Sequence, residues 1–232
     1  MNALPALLIL AGYLLGSIPT AYLVGRWTKG LDLRRYGSGT VSGSMVYEHV
    51  ARWAVVPVGL FDVGKATLPA WLGLRLGLGL PVAAAAGLAA VAGHNWPIFL
   101  RFTGGRGLGC FMGVLLALFP WGTVWMLAFL AIGWRLGDSA PWALASLLTL
   151  PLLSHLLGGP QVVAPATGAM LLLTLAKRLE ANRRPLPPPG PERRKVILRR
   201  LFLDRDVASH AEWIRRRPEE DTEDTEGHGF HG

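Results

Sequence analysis

The sequence predicts an all-α fold: a polytopic integral membrane protein with about seven transmembrane helices, its N-terminus outside and its C-terminus in the cytosol. Composition is the first reason. Of 232 residues, 51% are hydrophobic and 16% charged, and the mean hydropathy is +0.37. The second is a series of long apolar windows, and the third is the gathering of basic residues at alternate ends of them. Together these describe one membrane domain with a polar appendix, not a soluble globule.

The windows run over 3–25, 46–74, 80–101, 107–119, 120–136, 139–157 and 161–179. The first three reach the ~20 residues that a hydrocarbon core demands. Those after residue 107 are shorter and interrupted by Pro120, Pro141, Pro151 and Pro165, so a count of about five or six stays open. Arg26, Lys29, Arg34 and Arg35 follow the first window, and Arg101 and Arg106 follow the third. Arg135 follows the fifth, and Lys177, Arg178, Arg183 and Arg184 follow the seventh. Putting all four groups in the cytosol requires an odd number of spans. Arg75 alone sits on the other side, near a helix end from which it can snorkel.

Residues 1–185 carry 14 Lys/Arg against 5 Asp/Glu, and residues 186–232 carry 9 against 10. The membrane part therefore holds the whole positive balance. A nucleic-acid partner would need a basic soluble surface with readout chemistry, which the sequence lacks. The N-terminus has no basic n-region, so the first apolar stretch is expected to stay in the mature protein. The single cysteine, Cys110, excludes an intrachain disulfide framework.

Residues 1–184 read as the transmembrane domain and 185–192 as a stiff Pro-rich linker. Residues 193–217 alternate basic clusters with apolar triplets, which suits either an amphipathic helix on an anionic leaflet or a solvated helix. Residues 218–232 read as an acidic, disordered tail. His210, His228 and His231 have spacing open to metal binding, against the simpler reading of a solvated tail.

Two loops on the expected cytosolic face look chemical. The first runs from Asp32 to Ser44, with Gly37, Ser38, Gly39, Thr40, Ser42 and Ser44. Glycines let backbone amides approach an anion, and hydroxyls add uncharged donors. A helix expected after the loop would aim its first amides at the same anion. The second loop, Thr103-Gly104-Gly105-Arg106-Gly107, also precedes a helix, and Arg106 offers a planar fork suited to phosphate. Small residues also serve turns and helix packing in membranes, but two such loops on one face point to anion binding. Asp62 and Lys65 lie three apart, on one helical face, where they can pair structurally or line a cavity. His94 is either a base or phosphate ligand, or a buried histidine bonded across helices. No P-loop, HExxH or GxSxG signature is present, nor the internal repeat of a transporter.

Over residues 8–180 these features resemble the bacterial acyl-phosphate:glycerol-3-phosphate acyltransferase family of integral membrane enzymes. Gly16-Ser17-Ile18-Pro19 looks like the family's opening on the first span, and Asp32-Leu33-Arg34 with Gly37-Ser38-Gly39 is similar to its first cytosolic loop. Asp62 and Lys65 match its Asp-x-x-Lys, and Gly93 through Gly107 matches its most diagnostic stretch. The resemblance implies a site facing the cytosol of the bacterial plasma membrane. There an acyl group would pass from acyl phosphate to the 1-hydroxyl of glycerol 3-phosphate, without cofactor or metal. It implies catalytic roles for Ser38, His94 and Arg106, and phosphate binding by Gly37, Gly39, Thr40, Ser44, Lys65, Gly104, Gly105 and Gly107. Asp62 and Asn182 would line or support the site.

The chain departs from the family pattern at Thr40, at Ser42-Gly43-Ser44-Met45, and at Glu48, where the family carries arginine. Arg106 replaces a lysine, and Lys177-Arg178-Leu179-Glu180-Ala181-Asn182 lacks a histidine. Two alternatives follow: a homologue that binds acyl phosphate or phospholipid without chemistry, or an acyltransferase with another acceptor.

Overall fold

Proline and glycine set many of the helix ends. The computed structural model describes residues 3–215. Helices α1 (Leu4–Gly16) and α2 (Thr20–Lys29) form one rod with a break at Ser17-Ile18-Pro19. Pro19 lacks an amide hydrogen there, and Ser17 Oγ donates back to the Tyr13 carbonyl at 2.9 Å. The unbroken helix expected over 3–25 is thereby corrected to an interrupted one that ends at Lys29, closed by Gly30 at φ +67°.

The window expected over 46–74 differs more. A single turn, α3 (Gly43–Met45), leads into a wide π turn at Val46–Val50, and Ala51 is extended before a 3-10 turn at Arg52–Ala54. The membrane helix α4 begins only at Val55 and runs to Arg75. Packing decides this, because Met45, Val46 and Val50 are drawn into a small core with Ala21, Leu33 and Val58. Burial there outweighs the helical pattern of the sequence.

Helix α5 (Leu80–Asn95) stops before Pro97, and a 3-10 turn at Ile98–Leu100 follows. Then come α6 (Leu108–Leu118), α7 (Pro120–Arg135), α8 (Ser139–Leu156) and α9 (Val163–Glu180), close to the windows expected. Two short helices, α10 (Pro191–Leu203) and α11 (His210–Arg215), complete the described residues, among which there is no strand. Four helical stretches there are long and apolar enough to cross a membrane: Leu4–Lys29, Arg52–Arg75, Leu80–Leu100 and Ser139–Leu156.

Small residues bring the backbones together. A Cβ at Gly12 would strike the Ala86 carbonyl, one at Gly16 the Ala90 carbonyl, and one at Gly93 the Tyr13 carbonyl. α1 and α5 therefore touch backbone to backbone, the close crossing that small residues allow within a membrane. Thr67 Oγ1 donates to the Gly113 carbonyl at 2.9 Å and ties α4 to α6. Phe111, Leu115, Met126, Leu150 and Met170 fill the centre, while Leu7, Leu14, Leu60, Leu127 and Leu172 face outward. In a bilayer that outward face meets acyl chains.

The C-terminal segment folds back on the bundle. α10 packs against α8 and α9 and buries Val196 and Arg200. Arg200 Nε meets Asp206 at 2.5 Å, and its Nη atoms reach the carbonyls of Leu179, Arg184 and Pro185. Arg205 pairs with Asp138 at 2.5 Å, and Arg178 donates to the carbonyls of Leu201 and Ala140, each at 2.7 Å. The described part of the segment considered at 193–217 thus packs on the bundle more firmly than a weakly packed, solvated helix would. The expected linker at 185–192 also ends early, since α10 begins at Pro191. The tail at 218–232, with His228 and His231, lies outside the described residues.

Candidate active site

The break in the first rod meets α4 and α5 in a cluster of buried charge. Lys65 Nζ lies 2.8 Å from Asp62 Oδ1, 2.9 Å from His94 Nδ1, and 3.1 Å from the Ile18 carbonyl. That carbonyl is available because Pro19 ends the helical ladder nearby. Asp62, Lys65 and His94 are all buried. An isolated buried charge is costly, so each member requires the others. With the ammonium donating to Nδ1, the neutral imidazole carries its proton on Nε2, a tautomer assigned from this network. Nδ1 is then occupied by the Lys65 ammonium. Cys110 joins Asp62 and His94 within 4.8 Å, but the Lys65 ammonium is already bonded to two of these three.

Both glycine loops close over this cluster. Gly105 N donates to the His94 carbonyl at 3.1 Å, and Val41 N donates to the Gly104 carbonyl at 3.3 Å. A Cβ on Gly105 would overlap His94 Nε2, and one on Gly104 would overlap the His94 carbonyl. Glycine is thus required at both positions by close approach. Asn182 clamps the pair: its Nδ2 donates to the Gly39 carbonyl at 2.7 Å and to the Gly104 carbonyl at 3.2 Å. It does so from three successive left-handed residues, Ala181, Asn182 and Arg183, a conformation held only where the surroundings insist on it. Arg184 adds a bond to the Gly37 carbonyl at 2.8 Å. A narrow recess remains between the loops and the broken rod, lined by Ser17, Ile18, Val41, Lys65, His94 and Gly104 among others.

In the first loop Ser38, Thr40 and Ser42 form a hydroxyl chain, with spacings of 2.6 and 3.1 Å. Asp32 folds the loop's start by accepting from Arg34 Nη2 at 2.6 Å and from its backbone amide at 3.0 Å. That guanidinium, above all through its side-chain hydrogen bond, holds the Asp32 carboxyl below the usual range. Ser44 is exposed on α3 and stays outside the hydroxyl chain. The helix expected after this loop is the single turn α3, too short to present the aligned amides of a true helix start.

Arg106 lies in the second loop just before α6, with its Nε 2.8 Å from each carboxylate oxygen of Asp204 and its Nη1 3.1 Å from the Lys177 carbonyl. α11 meets the first loop at Gly37, where a Cβ would strike the Ile214 carbonyl, and the π turn after it. His49 Nε2 lies 2.8 Å from the Ile214 carbonyl, Arg215 is 3.4 Å from Glu48, and Arg184 stacks 4.2 Å over buried Trp213.

A family model described as glycerol-3-phosphate acyltransferase matches residues 6–185. The chain belongs to the glycerol-3-phosphate acyltransferase family. Glycerol-3-phosphate acyltransferase 4 of Dehalococcoides mccartyi is 35% identical over 232 residues, covering 93% of this chain and 95% of the relative. Glycerol-3-phosphate acyltransferase of Rubrobacter xylanophilus is 45% identical over 117 residues, 50% of this chain and 58% of the relative. A crystal structure of PlsY, described as an integral membrane glycerol 3-phosphate acyltransferase, superposes in its glycerol 3-phosphate form with a TM-score of 0.71. That match has 26% identity and covers 90% of this chain and 97% of that one. The lysophosphatidic acid form gives a TM-score of 0.67 at 27% identity, covering 78% and 90%. An all-helical, multi-pass membrane protein is the architecture of this acyltransferase.

Of the sequence-predicted residues, Lys65, His94 and Gly104 line the recess, with Asp62 paired to Lys65 and Gly105 bonded to the His94 carbonyl. Ser38 and Thr40 lie in the hydroxyl chain, Arg106 turns to Asp204 and the Lys177 carbonyl, and Ser44 is exposed. Sequence reasoning missed Arg184, Trp213 and Asp204. The one available signal for Asp204 was an acidic pair, Asp204 and Asp206, within a strongly basic stretch.

Proposed function

We propose that this acyltransferase moves an acyl group from acyl phosphate to the 1-hydroxyl of glycerol 3-phosphate, giving lysophosphatidic acid and phosphate. The observation that carries the mechanism is the closure of the second glycine loop on His94 and of the first loop on the second, held by Asn182. Both substrates present a phosphate, and the loops offer hydroxyls and a cation for it. Gly37, Gly39, Thr40, Gly104, Gly105 and Gly107 shape the cradle by letting the loops approach closely, with the amides of Gly39, Thr40 and Gly105 already donating to the Tyr36 carbonyl, the Ser38 hydroxyl and the His94 carbonyl, and Lys65, paired with Asp62, supports it from behind.

In the reaction the acceptor hydroxyl attacks the acyl carbon, the carbon–oxygen bond to phosphate breaks, and phosphate leaves with the electron pair. Phosphate is a good leaving group, so positioning and charge stabilisation can supply much of the rate. Ser38, at the end of the hydroxyl chain, relays the acceptor proton toward the departing phosphate. His94 holds the loop at Gly105 through its carbonyl, which accepts from the Gly105 amide, while its ring, bonded to Lys65 through Nδ1, lines the recess. Arg106 holds a phosphate group through its guanidinium.

The positive-inside pattern supports a cytosolic site in the bacterial plasma membrane, with about seven spans. Residues 1–184 form the catalytic domain. The exposed Leu198 and Phe202 of α10, one turn apart and next to Arg194 and Lys195, suit an anionic leaflet surface.

The test is purified protein in liposomes with palmitoyl phosphate and glycerol 3-phosphate, following phosphate and lysophosphatidic acid together. Equal amounts of both are expected. Phosphate without acylated product would assign another acceptor, and binding without turnover would assign a non-catalytic homologue. Arg106→Ala should raise KM for both substrates, since phosphate is held twice; unchanged constants would remove Arg106 from the site.

A further inference from the structure

The segment after α9 touches both glycine loops, and it brings a carboxylate to one of them. α10 ends at Leu203, and Asp204 turns in the left-handed region at φ +56°. A non-glycine residue holds that conformation only when neighbouring contacts enforce it. They do so on both sides: Arg178 binds the Leu201 and Phe202 carbonyls, Arg205 is paired with Asp138, and Asp206 with Arg200. The turn delivers the Asp204 carboxylate to Arg106, with both oxygens 2.8 Å from Nε.

This pairing has a chemical consequence. A carboxylate and a phosphate use the same guanidinium edges through the same charge-assisted hydrogen bonds. Side-chain exposures of 12% for Arg106 and 21% for Asp204 leave the pair only partly screened by water. An anion approaching the second loop therefore meets a cation that is already neutralised. At the first loop the same segment docks through the Ile214 carbonyl, which sits where a Cβ of Gly37 would be, and through Trp213 under Arg184, whose Nη2 donates to the Gly37 carbonyl. The segment thus spans both halves of the phosphate cradle.

We infer that Asp204 is an internal anion that holds Arg106 until the phosphate of a substrate displaces it, so that residues 191–215 form a cap whose release is coupled to substrate binding. This rests on the acyltransfer reading for the identity of the phosphate, and the contact itself does not depend on turnover. Linkage is reciprocal: whatever weakens the cap strengthens phosphate binding by the same factor.

The experiment uses the full chain in nanodiscs, with inorganic phosphate as the probe, by calorimetry. Asp204→Asn removes the charge and keeps a residue that accepts the left-handed conformation. The dissociation constant for phosphate should fall about five- to tenfold, the lower range for coupled sites. KM for the phosphorylated substrates should fall in parallel, without loss of kcat. Unchanged or weaker phosphate binding would overturn the inference and make Asp204 an orienting partner of Arg106. So would no measurable phosphate binding in either protein.

A second measurement needs no variant. Hydrogen exchange across 203–215 in the unaltered protein should rise with saturating phosphate, and unchanged protection would overturn the cap. Tighter phosphate binding in Asp204→Asn without turnover would keep the inference and sink acyl transfer. Turnover with unchanged phosphate affinity would do the reverse.

Discussion

Replacing Asn182 with alanine removes one side-chain donor that bonds two carbonyls in two loops, Gly39 at 2.7 Å and Gly104 at 3.2 Å. Each neutral hydrogen bond contributes about 0.5–1.5 kcal/mol net. Residue 182 also sits at φ +54°, where asparagine is tolerated and alanine costs about 1 kcal/mol more. The sum is about 2–4 kcal/mol. For a chain of this size that corresponds to roughly 2–4 °C of Tm per kcal/mol, hence a fall of about 4–16 °C. Because the bonds join the loops to each other, the loss should also raise KM for both phosphorylated substrates. Asn182→Asp keeps the backbone preference but turns a carboxylate toward two carbonyls, so it should be worse than alanine. Thermal unfolding in detergent and steady-state kinetics check both. An alanine variant that melts within about 1 °C of the parent with both KM values intact would refute the clamp.

Lys65→Met should destabilise by about 3–5 kcal/mol, because Asp62 is left buried without its cation, and adding Asp62→Asn should recover much of that; unfolding midpoints of the two variants decide it. Gly105→Ala places a Cβ on His94 Nε2 and against the Val41 carbonyl, so the loop must move and kcat/KM should fall about 100-fold. Protein that accumulates in the membrane with full activity would contradict that reading. Asp32 has a folded pKa below its ordinary value, first through its hydrogen bond from the Arg34 side chain. Its stabilisation is therefore complete above the ordinary carboxylate value and is lost as pH falls through the depressed one. Hydrogen exchange at 32–44 should be flat from neutral pH to about 4 and rise below it, with Asp32→Asn lacking this acid dependence.

The helices of the bundle were legible because hydrocarbon-length apolar runs have few alternatives: their backbone must bond internally. α6 to α9 fall within a few residues of their expected windows for that reason. The second window misled because apolarity does not distinguish a membrane helix from a small core. Val46 and Val50 are buried by Leu33 and Met45, far apart from the periodic signal that begins at Val55. The Asp62–Lys65 pair was readable from its three-residue spacing, which fixes a shared helix face. Their bond to His94 was not, since no spacing relates residue 65 to residue 94. Ser44 joined the candidate site on loop composition alone, and the single turn of α3 leaves it exposed.

Sequence by itself determined the membrane architecture, the family and the two glycine loops, because span length, motif order and small-residue requirements are local properties. The tertiary structure alone decided that the loops meet each other beside His94, that Asn182 joins them, and that Asp204 reaches Arg106. Those contacts link residues 98 and 143 positions apart in the chain, and only packing brings such distant partners together.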